Sequence, residues 1–202
     1  MLGKKLTGRA VAARGGFRAA VGRTLERPLP GGEAERTHAV NLRWMRRNRH
    51  GASEGRSGLV LIVDDTEDNL LITVSSLSAA GIRCLTASRG WQCLDIAKRE
   101  RPDLILLDII MPRMDGWMTL AALRQDPDTK NIPVIMFTCD DRFANRQRAM
   151  KEGAVDFLPR PVARETLLRC VRMHLGAVAR ERALDAVGRD LESSLARAER
   201  RC

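Results

Sequence analysis

Five short apolar runs decide most of what this chain can become. They are LVLIV (59–63), IRCLTA (82–87), LILL (104–107), PVIMF (133–137) and VDFL (155–158). They lack the strict alternation of a half-exposed strand, and so read as strands covered on both faces. Between and after them, apolar residues recur at helical spacing. Leu70, Leu71, Val74 and Leu77 mark the first helix; Trp91, Leu94 and Ile96 the second; Met118, Ala121, Ala122 and Leu123 the third. Phe143, Arg146, Gln147 and Met150 mark the fourth, and Leu167, Leu168, Val171 and Leu175 the fifth. Strands alternating with helices in blocks of roughly 20–25 residues make βαβ units and a parallel sheet. Five units predict one doubly wound α/β domain over residues 58–176.

The rest of the 202-residue chain flanks that domain. The formal charge is +10, but it is unevenly spread. Residues 1–57 hold thirteen Lys or Arg and four acids, a net of +9; the remainder holds 22 bases and 21 acids, a net of +1. Basicity of the kind that attracts nucleic acid or an anionic surface therefore belongs to the N-terminal segment. That segment reads as a disordered basic tail. Two other readings stay open: a transit peptide in its acid-free first residues, and a true start at Met45. Beyond residue 176, Leu184, Val187, Leu191, Leu195 and Ala198 recur at threes and fours, so residues 177–202 read as a helical extension and a candidate coiled coil. Gly176 and Gly188 count against it, and a fraying solvated helix is the alternative.

The five cysteines (84, 93, 139, 170, 202) form no CxxC pair, and no Cys/His cluster shows metal-ligand spacing. They read as small apolar residues of a reducing compartment. The histidines (38, 50, 174) are isolated and receive no chemistry. No apolar run approaches the roughly 18–20 residues of a membrane span.

The chemistry lies where the runs end. Asp64 and Asp65 follow the first, and Asp108 the third; the fourth leads into Thr138, and the fifth into Arg160 and Pro161. Sites in open α/β sheets form outside the carboxyl ends of strands, where strand order reverses. With order 2-1-3-4-5, strands 1 and 3 are neighbours there, and three carboxylates converge. Close anions repel, and Mg²⁺, which takes oxygen ligands and keeps several waters, is the simplest remedy. Taken singly, each acid is an ordinary loop residue or helix cap. Asp108 fits that reading least, because an apolar strand runs straight into it. Acids, a hydroxyl and a fixed cation together suit phosphoryl transfer to an ionised Asp. No Walker-type glycine loop or GxGxxG supports nucleotide binding.

LIVDD (61–65), LLDIIMPRMDG (106–116), IPVIMFT (132–138) and GAVDFLPRP (153–161) match, in order and spacing, the receiver domain of two-component response regulators. Residues 58–176 resemble that family; the flanks do not. The resemblance implies a flavodoxin-like fold with five helices, in a cytoplasmic protein phosphorylated by a histidine kinase or phosphotransfer protein. It implies that Asp108 is the phosphoacceptor. Mg²⁺ would be held by Asp65, Asp108 and the backbone carbonyl of Ile110, with Asp64 acting through metal-bound water. Thr138 would be the switch hydroxyl and Phe157 the switch aromatic, turning inward on phosphorylation. No activity is implied beyond self-phosphorylation from a phosphodonor and slow self-dephosphorylation. The Arg160–Pro161 bond would be cis.

Arg160 departs from the family, which has Lys there. Arg keeps the charge but brings a planar fork in place of a point charge, which puts switching in doubt more than phosphorylation. Two other functions compete with a phosphorylated signalling module. One is a pseudo-receiver scaffold, supported only by Arg160. The other is nucleic-acid binding through the basic tail, where Trp44 is the lone stacking candidate. A homodimer through the C-terminal helix is a further expectation.

Overall fold

The computed structural model describes residues 58–140 and 142–199. The basic segment 1–57, with Trp44 and Met45, lies outside them, as does Cys202. Among the described residues, five strands alternate with five helices: β1 (Leu59–Val63), α1 (Glu67–Ser78), β2 (Arg83–Ala87), α2 (Gly90–Glu100), β3 (Leu104–Leu107), α3 (Gly116–Gln125), β4 (Val134–Thr138), α4 (Phe143–Lys151), β5 (Asp156–Pro159) and α5 (Arg164–Glu199). All strand pairs are parallel and the order is β2-β1-β3-β4-β5, as expected from the sequence.

Side chains alternate across each strand, and both faces are covered. Leu59, Leu61 and Val63 of β1 join Ile105, Leu107, Val134 and Met136 in one core, completed by Ile96, Leu120 and Leu123 from the helices. Val60 and Ile62 join Leu104, Leu106, Ile135 and Phe137 in the other, closed by Leu70, Leu77, Leu167 and Val171. Two-sided burial is why the runs showed no polar alternation. Each fully buried Leu or Ile contributes about 1.5–3 kcal/mol over an exposed one.

The helices depart from the expected faces. Leu71, Met118, Phe143 and Met150 point to solvent, while Trp117, Leu120 and Ala149 turn inward. In α2, Cys93, Ile96 and Ala97 are buried and Trp91 and Leu94 only partly so. A helix on a sheet needs only a narrow stripe inside, and α4 buries a single residue, Ala149. The fifth helix runs unbroken through Gly176 and Gly188. Its extension bears on the lower edge of the sheet, where Arg182 pairs with Asp103. The same Asp103 accepts a hydrogen bond from Leu59 N at 2.7 Å. Farther on, Leu184, Val187 and Leu191 face solvent. Among the described residues no helix is long and apolar enough to cross a membrane.

The β3–α3 loop sets the position of Asp108. Asp115 caps α3, accepting from Met118 N at 2.7 Å. Gly116 N donates to Ile109 O at 2.9 Å and so draws the loop against the end of β3. A Cβ on Gly116 would stand 2.2 Å from the Asp108 carbonyl oxygen, backbone that has nowhere to go. Gly116→Ala is expected to cost about 1–3 kcal/mol, the range for forced overpacking. Denaturant unfolding checks this: a midpoint equal to wild type would mean that the loop relaxes freely.

Candidate functional site

Four strand ends meet at the carboxyl edge of the sheet. Asp64 follows β1 and is 2% exposed; Asp108 follows β3 and is 7% exposed. Asp65 beside them is open to solvent. One oxygen from each of the three lies within 4.8 Å of the others. Thr138, the last residue of β4, is fully buried. Arg160 directly follows β5 and is joined to Pro161 by a cis bond.

Each side chain is held. Asp64 Oδ1 accepts from Thr66 N at 2.8 Å and from Asn69 Nδ2 at 3.1 Å. Asp108 Oδ1 accepts from Ile109 N at 2.8 Å. The Arg160 fork spans the two remaining oxygens. Its Nη1 pairs with Asp64 Oδ2, and its Nη2 lies 3.1 Å from Asp108 Oδ2. The guanidinium carbon sits 4.8 Å from the centre of the Phe137 ring, within cation–π range. Arg160 Nε is buried and has no hydrogen-bond partner among the described residues. Thr138 Oγ1 accepts from Asp140 N at 3.2 Å, and its hydroxyl donates to the Asp108 carboxylate.

Burial pushes the Asp108 carboxyl above the ordinary carboxylate range; the charge of Asp64 adds to this, while Arg160, Thr138 and the Ile109 N–H oppose it. Burial also works against the Arg160 cation, but Asp64 and Asp108 outweigh it and hold the guanidinium above its usual range. Asp64 has the tighter contact with Arg160, so Asp108 is the less compensated acid. The three acids offer only hard oxygen donors, which fits Mg²⁺ and excludes soft ions. Asp64, Asp65, Asp108, Thr138 and Arg160 are thus brought together as the strand ends suggested. Ile110, with its side chain exposed, lies in the loop two residues beyond Asp108. Phe157 is 4% exposed and packed inward in the core.

The sequence reading missed several partners. Asn69 and Phe137 lack any motif that would place them against Asp64 and Arg160. His174 is not isolated: it lies 3.2 Å from Asp156. Cys170 and His174 do stand at a spacing that metals use, four residues apart on one helix.

A doubly wound sheet with an acidic crevice at its switch point, faced by a hydroxyl and a fixed cation, defines a class of flavodoxin-like signalling domain. The family described as response regulator receiver domain matches residues 60–172, and the chain belongs to it. The response regulator PleD of Caulobacter vibrioides is 39% identical over 116 residues, 57% of this chain and 26% of PleD. The chain thus spans about a quarter of PleD. Protein PilH of Pseudomonas aeruginosa is 35% identical over 112 residues, 55% of this chain and 93% of PilH. Among solved structures, Vibrio cholerae chemotaxis protein CheY4 aligns with TM-score 0.55 and 31% identity, over 57% of this chain and 97% of its own. The receiver domain of the sensor histidine kinase PA1611 of Pseudomonas aeruginosa aligns with TM-score 0.56 and 27% identity, over 59% and 98%; it holds a magnesium ion in its active-site cleft.

The raised Asp108 carboxyl has a consequence for stability. Below the ordinary carboxylate range, Asp108 is protonated in folded and unfolded chains alike and contributes no difference. As pH rises, the unfolded chain ionises first, so stability is lost until the folded carboxyl has ionised too. Asp108→Asn is therefore expected to unfold at higher denaturant than wild type at pH 7, with the gap closing as pH falls below the ordinary range. A gap that is absent or reversed at pH 7 contradicts the burial argument.

Proposed function

We propose that this chain is a phosphorylation-controlled receiver in which Asp108 accepts a phosphoryl group from a histidine kinase or phosphotransfer protein of the cytoplasm. The carrying observation is the position of Asp108: a buried, under-compensated carboxylate at the end of β3, beside Asp64 and Asp65 and under Arg160. A carboxylate oxygen of Asp108 attacks the phosphorus, and the bond from phosphorus to the donor nitrogen breaks. Asp65, Asp108 and the Ile110 carbonyl would hold Mg²⁺, with Asp64 one water away. When bound, the ion neutralises charge on the phosphoryl oxygens.

The chain's own residues supply the response. The guanidinium of Arg160 transfers from the two acids to the phosphoryl oxygens. The hydroxyl of Thr138 turns from the Asp108 carboxylate to donate to another of those oxygens. Because Thr138 also accepts from Asp140 N, its movement pulls the β4–α4 loop. That loop leads into α4, which buries only Ala149 and is the least anchored of the helices. Phe157, already inward, provides packing rather than the moving part. The exposed Leu184, Val187 and Leu191 on α5 offer an apolar surface for protein contact.

Labelling with a small phosphodonor tests the phosphoacceptor. Wild type should take up acid-stable, hydroxylamine-sensitive label, EDTA should suppress it, and Asp108→Asn should abolish it while remaining folded. Equal labelling of the variant moves the site elsewhere, and no labelling of wild type favours a scaffold that is not phosphorylated.

Arg160 bears on coupling rather than on acceptance. Its fork holds two acids at once and stacks on Phe137, and all three contacts must break before it meets the phosphoryl group. Lys keeps the charge without the bidentate hold. Arg160→Lys should therefore reach its active state at lower beryllofluoride and Mg²⁺, read from the amide resonances following Thr138. Equal or poorer conversion would make Arg160 a fully accommodated substitute.

A further inference from the structure

A second group of chemically able side chains lies at the start of β5, the opposite end of that strand from Arg160. Cys170 and His174 stand one turn apart on α5, on the face that meets β5. Asp156, the first residue of β5, is set against them. Both reach a single oxygen: Cys170 Sγ lies 3.4 Å from Asp156 Oδ2, and His174 Nε2 lies 3.2 Å from it. The other carboxylate oxygen is already engaged, because Phe157 N donates to Asp156 Oδ1 at 2.7 Å. That bond fixes the carboxylate plane and leaves Oδ2 turned toward sulfur and imidazole. Such support of a ligand by a neighbouring backbone group is what metal sites use to orient their donors.

The separations fit a loaded site. Zinc binds thiolate at about 2.3 Å and imidazole or carboxylate at about 2.0–2.1 Å in tetrahedral geometry, which puts adjacent donors roughly 3.3–3.5 Å apart. The 3.4 and 3.2 Å separations from Asp156 Oδ2 match that spacing, and all three donors lie within 4.8 Å of one another. The mixture of sulfur, nitrogen and oxygen suits a borderline transition ion and not Mg²⁺ or Ca²⁺. Access is one-sided: Cys170 is buried, whereas the side chains of His174 and Asp156 are 15% and 29% exposed. An ordinary His–Asp ion pair accounts for two of the groups. A weak S–H hydrogen bond to the same oxygen accounts for the third, and that arrangement alone would show no affinity for a transition ion.

We propose that Asp156, Cys170 and His174 form a three-ligand site for a zinc-class divalent transition ion, with the fourth position open to water. Binding replaces the Cys170 S–H bond by a sulfur–metal bond and releases the proton to solvent. Neutral His174 contributes the Nε2 lone pair, and ionised Asp156 contributes Oδ2. The ion would clamp α5 to the edge strand and stabilise the folded chain by mass action. The site stands apart from the acidic crevice and does not depend on phosphorylation.

The test is titration of the metal-free full-length chain with Co²⁺ alone, followed by displacement with Zn²⁺. One equivalent of Co²⁺ should produce sulfur-to-cobalt charge-transfer absorption, and Zn²⁺ should abolish it. Cys170→Ser should lose the absorption while keeping its wild-type circular dichroism. His174→Ala, at a more exposed position, should weaken binding by more than about 10-fold, the loss that follows removal of even an outer partner. Cys139→Ser, Cys202→Ser and Asp108→Asn should each retain the band. Zinc should also raise the melting temperature of wild type and not that of His174→Ala. The proposal is overturned if no charge-transfer band appears, if the band survives Cys170→Ser, if it is lost in Cys139→Ser or Cys202→Ser, or if His174→Ala binds as wild type does.

Discussion

Two carboxylates buried side by side are what the rest of this molecule is arranged around. Asp64 and Asp108 stand at the ends of adjacent strands that have no water on either face. Unit charges 4 Å apart repel by about 4 kcal/mol at an effective dielectric constant near 20. In the folded chain the compensation comes from Arg160, one planar group presenting a nitrogen to each acid, with Phe137 beneath it. A buried pair of this kind is weak evidence for stability, since desolvation offsets most of the attraction. What it fixes is direction: whatever competes for Arg160 or for the acids releases the other partner.

That release can be transmitted because the surroundings are unevenly stiff. Strands β1 and β3 are packed into both cores, so the acids cannot retreat into the sheet. The loop after β4 is different. Thr138 is anchored in the sheet, but the next link, from Asp140 N to its hydroxyl, is a single hydrogen bond at the surface of the domain. Beyond it α4 has one buried residue and exposes both Phe143 and Met150. Exposed apolar side chains on the helix with least burial make its displacement cheap in lost packing. Their exposure also explains why the periodic pattern pointed to the wrong face of that helix.

The parallel sheet was legible because two-sided burial leaves a compositional mark, a strand with no polar alternation. The strand order came with the resemblance to the receiver family, and given that order the meeting of Asp64, Asp65 and Asp108 followed. Asp115 and Gly116 stood out only as the end of the LLDIIMPRMDG stretch; their roles, a cap for α3 and close approach to the Asp108 backbone, needed coordinates. Helix faces were less legible, since Leu71 and Met118 satisfy a helical period from the solvent side. Contacts that depend on tertiary approach left no mark at all. Phe137 and Arg160 are twenty-three residues apart and meet because parallel strands deliver their ends to one edge. Asp156 and His174 meet because α5 folds back over β5. Spacing along the chain reports partners within one helix, such as Cys170 and His174, but is silent about the strand beneath.

The long fifth helix joins these parts mechanically. Its thirty-six residues extend about 54 Å at 1.5 Å per residue. The first turns are embedded in the core through Leu167 and Val171. Farther along, Arg182 reaches Asp103, which also receives the Leu59 N–H at the start of β1. The helix is therefore fastened at two places on the sheet, firmly in the core and more weakly through a largely exposed ion pair. A displacement confined to the β4–α4 loop leaves both fastenings intact. The exposed stripe beyond Arg182 then stays fixed relative to the sheet while α4 moves, and a partner touching both surfaces would sense the change in their separation.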